Sequence, residues 1–358
     1  MRSFKALSLV LCFGICFLSA EAQFDPKSTS AVRCEISPKV DGSLADPAWL
    51  AAPVASGFVV DRPNPGKPST FDTEVRVVYD DEAMYVAMMN FDPSPDSILA
   101  QLTGRDSDGN SDYCGVTFGC YRDGINGFTF AVSPTGEQFD AREGFDADGN
   151  LTEDVSWNAV WHCHTQILAN GWTAEFRIPF AALRFPEMEE QLWDINFFKE
   201  IRRLREHSFW SGVDPGQAGF MTQLGSLTGV KNITPPMRLF FYPYASAYVD
   251  FRENGDGSPA TRTTSYNGGM DVKLGLSEAF TLDATLIPDF GQTISDQLVL
   301  NVTPFEIQFA ENRQFFTEGT ELFSKGGIFY SRRIGSVNYD ATLSPALGSS
   351  EYIISSPV

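Results

Sequence analysis

Residues 269–286 read G-M-D-V-K-L-G-L-S-E-A-F-T-L-D-A-T-L, and apolar and polar side chains alternate along both halves of this stretch. The apolar positions are Met270, Val272, Leu274 and Leu276 in the first half and Phe280, Leu282, Ala284 and Leu286 in the second. Ser277 and Glu278 separate the halves and predict a turn. Because successive side chains of a strand point to opposite faces, the stretch predicts a β-hairpin with one apolar face.

The segment before this hairpin repeats the pattern. Pro235 and Pro236 mark a boundary, and residues 237–252 follow it as a further alternating strand. Its apolar face carries Leu239, Phe241, Ala245, Ala247, Val249 and Phe251, and tyrosines stand on the other face. Strands of about 9–11 residues with one apolar face and aromatic ends are typical of outer-membrane β-barrels. A soluble hairpin also alternates, so the membrane interpretation depends on export.

The N-terminus predicts export. Arg2 and Lys5 precede the apolar stretch 6–18, and Ala20-Glu21-Ala22 is a small-x-small cleavage site, so residues 1–22 are predicted to be a signal peptide. No later apolar run in the sequence is long enough for a membrane-spanning helix, so any membrane span is predicted to be a barrel.

Composition narrows the class of protein and its partners. The formal net charge is −20 at pH 7, which argues against nucleic acid as a partner and fits neutral ligands or divalent cations. The 30 Phe, the 30 Gly and the many short apolar runs predict an all-β chain. Cys34, Cys114, Cys120 and Cys163 follow the cleavage site, and a disulfide and buried free thiols are both open for them.

Residues 34–232 contain short strands separated by turn residues. Strands are predicted in pairs at 74–79 and 84–91, at 115–121 and 127–132, and at 157–167 and 172–178. Such regularly spaced hairpins predict a β-sandwich, here expected to be jelly-roll-like.

Several motifs in this region resemble one family. They are V-D-G-S-L-A-D-P-A-W at 40–49, T-E-V-R-V-V-Y-D-D-E-A-M-Y-V at 73–86, G-W-T-A-E-F-R-I-P-F at 171–180, L-R-F at 183–185 and N-F-F-K-E-I-R-R at 196–203, followed by Trp210. In combination they resemble carbohydrate-binding module family 9-like domains. The resemblance implies a β-sandwich that binds sugars, often with structural calcium. The pair of stacking tryptophans used by the sugar-binding members is not identifiable here.

Candidate binding residues are aromatic or cationic. Trp210, Trp161 and Arg105 are the predicted carbohydrate-binding residues, because sugars bind against aromatic faces with polar groups beside them. Trp161 shares its strand parity with Ala159 and Cys163, so a core position is open for it as well.

Two acidic loops predict a metal. Asp106, Asp108, Asn110 and Asp112 lie in one loop, and Asp146 and Asp148 lie in a second loop with the same spacing. Alternate oxygen ligands around a glycine suit calcium, whereas a solvated turn is the alternative.

Later motifs resemble a second family. I-P-D-F-G-Q at 287–292, L-N-V-T-P-F-E at 300–306 and A-E-N-R-Q-F-F-T-E-G at 310–319 resemble the outer-membrane barrel domain of unassigned function that follows family 9-like modules in Gram-negative proteins. Residues 237–358 are therefore predicted to begin a transmembrane β-barrel. Single-chain barrels need at least eight strands and the sequence offers about four, so we expect the N-terminal part of a longer protein, truncated within its barrel.

These features predict an exported outer-membrane protein that captures glycans and is linked to carbohydrate catabolism. Two alternatives remain open. One is a glycoside hydrolase acting on O-glycosyl bonds, which needs two facing carboxylates. The other is a non-catalytic, calcium-stabilised scaffold or plug of a transport or secretion complex. An open groove lined by Trp would favour binding, and a buried set of Trp would favour the scaffold.

Overall fold

The computed structural model describes residues 25–107, 109–145, 151–155, 157–217, 219–252, 261–276 and 280–286. Its strands are β1 (Ser28–Ser30), β2 (Val32–Arg33), β3 (Val59–Arg62), β4 (Thr73–Tyr79), β5 (Ala83–Phe91), β6 (Tyr113–Gly119), β7 (Gly127–Val132), β8 (Gln138–Phe145), β9 (Leu151–Asp154), β10 (His162–Leu168), β11 (Gly171–Pro179), β12 (Glu190–Ile201), β13 (Glu206–Phe209), β14 (Gly225–Lys231), β15 (Arg238–Arg252), β16 (Thr261–Gly275) and β17 (Thr281–Thr285). Among the described residues the helical elements are α1 (Pro47–Leu50) and 3₁₀ turns at Pro95–Ser97, Phe180–Ala182, Arg202–Leu204 and Phe220–Gln223. The all-β prediction is confirmed.

Two sheets form the first part of the chain. The larger sheet has nine strands in the order β1-β14-β12-β6-β7-β8-β9, with β13 joining β12 to β3. The smaller sheet has five strands in the order β10-β11-β5-β4-β2. Neighbouring strands are antiparallel except for β1 with β14 and β2 with β4. The hairpins predicted from turn residues are present as β4–β5, β6–β7 and β10–β11.

The core lies between one face of each sheet. The larger sheet contributes alternate residues such as Val116, Phe130 and Phe197, and the smaller sheet contributes Val86 and Phe176, all of which are fully buried in one cluster. This sandwich-like packing is the arrangement that period-two alternation predicts.

The second face of the smaller sheet explains the motif at 40–49. The side chain of Trp49, on α1, is buried against this face, and its Nε1 donates a hydrogen bond of 3.0 Å to Oε1 of Glu175 on β11. The other oxygen of Glu175 accepts hydrogen bonds from the backbone N–H groups of Asp41 and Gly42 at 2.9 and 2.7 Å. Gly42 has a φ of +87°, and a Cβ there would lie 2.9 Å from Nδ1 of His164, so glycine suits this turn. The buried Glu175 carboxylate thus fixes the N-terminal segment to the sheet.

One strand begins later than predicted. The strand expected to start at Trp157 starts at His162. The backbone before it is engaged by side chains instead of a neighbouring strand, because the N–H of Ala159 donates to Asp140 at 2.6 Å and its carbonyl accepts from Arg105 at 3.0 Å.

The four cysteines after the predicted cleavage site are free thiols. Cys114 and Cys120 are buried in the core cluster. Of the two open alternatives, free thiols are therefore the arrangement in this structure.

Strands β15, β16 and β17 form a third, antiparallel sheet. The hairpin predicted at 269–286 is present, with Gly275 opposite Thr281 and Asp271 opposite Thr285. On β15, Leu239, Phe241 and Val249 are exposed, whereas Tyr242 and Tyr244 on the opposite face are partly buried. The predicted signal peptide and the barrel motifs beyond residue 286 lie outside the described residues.

Within the part of the chain that the structure describes, no helix has the length and apolar character needed to cross a membrane.

The Glu175 network predicts a selective loss of stability. In Glu175→Gln, an amide NH₂ replaces one of the two accepting oxygens and faces an N–H donor, so the free energy of unfolding should fall by about 2 kcal/mol. Glu190→Gln is the control, because that side chain is 61% exposed and, among the described residues, pairs with Lys231 at the surface. Urea unfolding of the 358-residue chain measures both variants. Equal effects of the two substitutions would contradict the structural role of Glu175.

Candidate functional site

The largest sheet has a second covered face, turned away from the core. Outward-facing residues of β6, β7, β8, β9, β12, β13 and β3 line a cavity of about 620 Å³ there, and loop residues such as Phe220 complete it. A cavity of this size falls in the range of small-molecule sites, which is about 300–1,000 Å³. Because its lining also combines aromatic and charged side chains, it is the candidate site.

The wall of the cavity is aromatic. Its rings are Tyr113, Phe139, Phe198, Phe209 and Phe220. The Phe198 centroid lies 6.2 Å from that of Tyr113 and 6.3 Å from that of Phe209, and the Phe209 centroid lies 5.2 Å from that of Phe220. These spacings are typical of packed aromatic pairs.

The close approach of Phe198 depends on a glycine. Gly115 lies opposite Phe198 in the β6–β12 register, and a Cβ at position 115 would lie 2.5 Å from Cζ of the Phe198 ring. The absence of a side chain at Gly115 therefore lets this ring lie flat on the sheet.

Glu200 holds together one end of the cavity. Its carboxylate accepts hydrogen bonds from the hydroxyl of Tyr113 at 2.8 Å, from Arg62 at 2.9 Å and from Arg202 at 2.7 Å. Burial alone would raise the pKa of Glu200, but the hydrogen bonds from Arg202, Tyr113 and Arg62 outweigh it and hold the pKa below its usual value. Glu200 is thus a carboxylate that fixes Tyr113 and neutralises the cation of Arg62.

Glu143, on β8, is the most deeply buried acid of the cavity lining, at 3% exposure. Among the described residues its carboxyl accepts one hydrogen bond, from Oγ1 of Thr129 at 2.6 Å, and Thr129 is in turn 2.9 Å from Oγ1 of Thr117. Burial, with a smaller contribution from the nearby charge of Glu153, raises the pKa of Glu143 to about 7 against the lowering effect of the Thr129 hydrogen bond. Glu153 is the cross-strand partner of Glu143 in the β8–β9 ladder.

A histidine and an aspartate meet beside Glu200, because His207 pairs with Glu200 in the β12–β13 ladder and with Arg62 in the β13–β3 ladder. Nδ1 of His207, on β13, lies 2.7 Å from Oδ1 of Asp61, on β3. The imidazole ring also packs edge-on against Phe209, with 4.7 Å between centroids. The cavity therefore combines aromatic faces with carboxylates, an imidazole and one guanidinium.

The sequence-predicted binding residues lie elsewhere. Trp161 and Trp210 are each 3% exposed and belong to the core between the sheets. Trp161 stacks on Phe176 at 5.7 Å, and Trp210 packs on Phe197 at 5.4 Å, so neither ring presents a free face. The carbohydrate-binding role of both stays a prediction without an exposed ring to support it.

Arg105 is engaged in a structural network. Its guanidinium pairs with the fully buried Asp140 and donates to Oε1 of Gln138 at 2.5 Å. Asp140 also accepts a hydrogen bond from Nε1 of Trp161 at 3.3 Å. Arg105 does not line the cavity, although its neighbour Asp106 does.

The predicted calcium ligands are only partly described. Asp108, Asp146 and Asp148 lie outside the described residues. An Oδ1 of Asp106 accepts the N–H of Asp140 at 3.1 Å, and an Oδ1 of Asp112 accepts the N–H of Arg202 at 2.9 Å. Burial raises the pKa of Asp112 to about 6, against the lowering effect of the hydrogen bond from Arg202.

Asn110 donates its backbone N–H to Gln101 at 2.9 Å. Among the described residues, no three His, Cys, Asp or Glu side chains form a group that could hold a metal ion. The described members of the loop do not fit a calcium site by themselves, and calcium stays a prediction.

Sequence reasoning missed Glu143, Glu153 and the phenylalanine wall. The available signal was that β6, β7 and β12 are apolar on both faces, as in G-F-T-F-A-V at 127–132, which indicates a sheet covered on both sides. Which loops cover the second face depends on contacts between distant segments.

The chain was compared with known proteins. The family model described as "Domain of unknown function (DUF5916)" matches residues 235–358. No curated protein matches the chain.

Some solved structures are similar to part of this chain. A "putative carbohydrate-binding protein" from Bacteroides uniformis ATCC 8492 is 14% identical, with 57% of this chain and 99% of that chain covered and a TM-score of 0.44. A carbohydrate binding module family 9 from Caldicellulosiruptor kristjanssonii, in complex with cellotriose, is 16% identical, with 58% of this chain and 100% of that chain covered and a TM-score of 0.36. The same module in complex with glucose gives the same values. Similarity at this level does not transfer a ligand to this chain.

The buried position of Glu143 predicts a pH-dependent stability. The folded chain keeps the Glu143 proton up to about pH 7, whereas the unfolded chain releases it near the ordinary pKa of 4.5. The folded state thus binds more protons in this window, so the contribution of Glu143 to the free energy of unfolding falls as pH rises through it. The fall is roughly 3 kcal/mol at 1.36 kcal/mol per pKa unit.

Glu143→Gln removes this titration. The free energy of unfolding of the variant, relative to the parent, should rise between pH 4.5 and pH 8, as measured by urea unfolding at several pH values. Glu190→Gln, at an exposed position of β12, controls for the loss of one carboxyl charge and is measured at the same pH values. A flat difference for Glu143→Gln would show that its carboxyl is solvated.

Proposed function

We propose that this chain is an exported, outer-membrane-associated protein that binds carbohydrate in the cavity on the second face of the nine-stranded sheet. The observation that supports this most is the combination of aromatic rings and hydrogen-bonding side chains around a volume of about 620 Å³. Sugar rings have apolar C–H faces that pack on aromatic rings, and their hydroxyls pair with carboxylates and guanidinium groups. The resemblance of the motifs at 40–49, 73–86 and 171–203 to carbohydrate-binding modules points in the same direction.

Phenylalanine and tyrosine take the place that tryptophan was expected to have. Trp49, Trp161, Trp172, Trp193 and Trp210 are buried, which is the arrangement expected for a scaffold. The cavity provides a different aromatic surface, in which Phe139 and Phe220 remain partly exposed. Binding in this cavity would link the protein to glycan capture and carbohydrate catabolism.

The third sheet supports the membrane part of the proposal. One face of β15 carries the exposed side chains of Leu239, Phe241 and Val249, and the other carries Tyr242 and Tyr244. An apolar face against lipid and a polar face toward a lumen is the pattern of a transmembrane barrel strand.

Glycoside hydrolysis is a second candidate, favoured by one observation. Glu143 and Glu153 are cross-strand partners in the cavity, so their side chains project from the same face of the β8–β9 ladder. Retaining glycosidases hold two carboxyl groups about 5–5.5 Å apart and need one of them protonated near neutral pH. Burial, which raises the pKa of Glu143 to about 7, meets that need. New reducing ends in incubations with bound glycans, lost in Glu143→Gln, would support hydrolysis.

Binding is tested on a glycan array with the full chain and a matched pair of variants. Phe220→Ala removes part of the cavity wall and should weaken binding of any glycan hit about tenfold or more. Phe91→Ala is the control, because Phe91 is also partly buried but lies at the end of β5, away from the cavity. Absence of binding to every glycan on the array would support the scaffold alternative instead. Equal weakening of glycan binding by the two variants would place the site elsewhere.

The orientation of the third sheet gives a separate prediction for the membrane. In liposomes with brominated lipids, tryptophan fluorescence from Phe241→Trp should be quenched more strongly than that from Tyr242→Trp, because only the first ring stands on the apolar face. The parent chain supplies the background from its own tryptophans. Equal quenching of both variants would contradict a lipid-facing β15.

A further inference from the structure

Carboxylates outnumber cations in the lining of the cavity. Asp61, Asp106, Glu137, Glu143 and Glu153 contribute acids, whereas Arg62 and His207 are the basic side chains among the described lining residues. Arg62 is already paired with Glu200, whose carboxylate lies behind the wall. The field inside the cavity is therefore negative.

Two of these acids have unused acceptor capacity. Glu143 is only 3% exposed, and among the described residues its carboxyl accepts only the hydrogen bond from Thr129. Within the described part of the chain, Oε1 of Glu137, another cavity-lining residue, is buried without a hydrogen-bond partner. A carboxylate can accept about four hydrogen bonds, and a buried acceptor without a donor is costly. The Glu143 carboxyl and Oε1 of Glu137 thus indicate a ligand with N–H or O–H donors.

The geometry favours a cationic donor over a neutral one. Glu143 and Glu153 are neighbours across the β8–β9 ladder, so their charges repel. His207 and Arg62 lie near enough to Glu153 to lower its pKa against the raising effect of burial, whereas no basic side chain among the described residues acts on Glu143 in this way. The rings of Phe139, Phe198 and Phe209 line the same volume, and aromatic faces attract cations within about 6 Å of the centroid. Carboxylates beside aromatic faces match a ring that carries an ammonium group. The ammonium group would pair with the carboxylates, and the apolar C–H face of the ring would pack on the aromatic side chains.

We propose that the cavity selects a carbohydrate that carries a protonated amine, with the ammonium group held by Glu143 and Glu153 and the sugar ring packed on the phenylalanine wall. The inference rests on the proposed carbohydrate-binding function and names the class of sugar: a hexosamine without an N-acetyl group.

Calorimetric titration of the full chain at pH 7 tests the selectivity with three tetrasaccharides of equal length. A β-1,4 glucosamine oligomer should bind at least tenfold more tightly than its N-acetylated counterpart and the β-1,4 glucose oligomer. Glu143→Gln and Glu153→Gln should each reduce this preference about tenfold. Glu153 is exposed on the short strand β9, so the second variant keeps the test valid if the first one fails to fold. Glu190→Gln should leave the preference unchanged.

The possible failures can be told apart. Binding of the neutral oligomers with no preference for the amine would overturn this inference and leave the proposed function intact. Absence of binding by all three oligomers would overturn this inference, and it would overturn the proposed function as well only if the glycan array also shows no binding. Calcium chloride titrated alone, if it binds and Glu143→Gln abolishes its binding, would show that the acid pair serves a metal cation and would also overturn the inference.

Discussion

The rest of the structure depends on residues 195–201 of strand β12 being buried on both faces. Its twelve residues pair with β6 on one side and with β14 and β13 on the other. Trp193, Ile195 and Phe197 point into the core between the sheets, and the next residues in alternation, Phe198 and Glu200, belong to the cavity side. Because period-two alternation couples the two faces, a shift of β12 by one residue would exchange core and cavity at once. The register that packs the sandwich is therefore the register that builds the site.

This coupling explains how acids come to lie in an apolar surrounding. Burial of an ionised carboxylate is costly unless hydrogen bonds or a cation compensate it. Glu200 and Glu175 are compensated, each by three hydrogen bonds, and they serve as structural anchors. Glu143 has a single hydroxyl donor, and burial correspondingly raises its pKa to about 7. Glu175 and Glu200, whose charges are compensated, therefore stabilise the fold, whereas Glu143 is available to a ligand.

The sequence allowed the strands to be predicted where turn chemistry and alternation agree. The hairpins β4–β5 and β6–β7 and the hairpin β16–β17 were found in this way, because local residues determine both the turn and the facing. Contacts between distant residues decided what could not be predicted. Trp157 and Trp161 read as strand residues, yet Asp140 and Arg105 engage the backbone at Ala159 and the strand starts at His162.

The site was hidden from sequence reasoning for the same reason. The sequences of β6 and β12 are apolar on both faces of the strand. This pattern does not determine which face is covered by a second sheet and which by loops. Trp210 packs in the core between the sheets, whereas Phe209, one residue earlier, has the opposite facing and lines the cavity. A single step along a strand exchanges a core residue for a candidate ligand contact, and only the contacts of β13 with β12 and β3 decide between them.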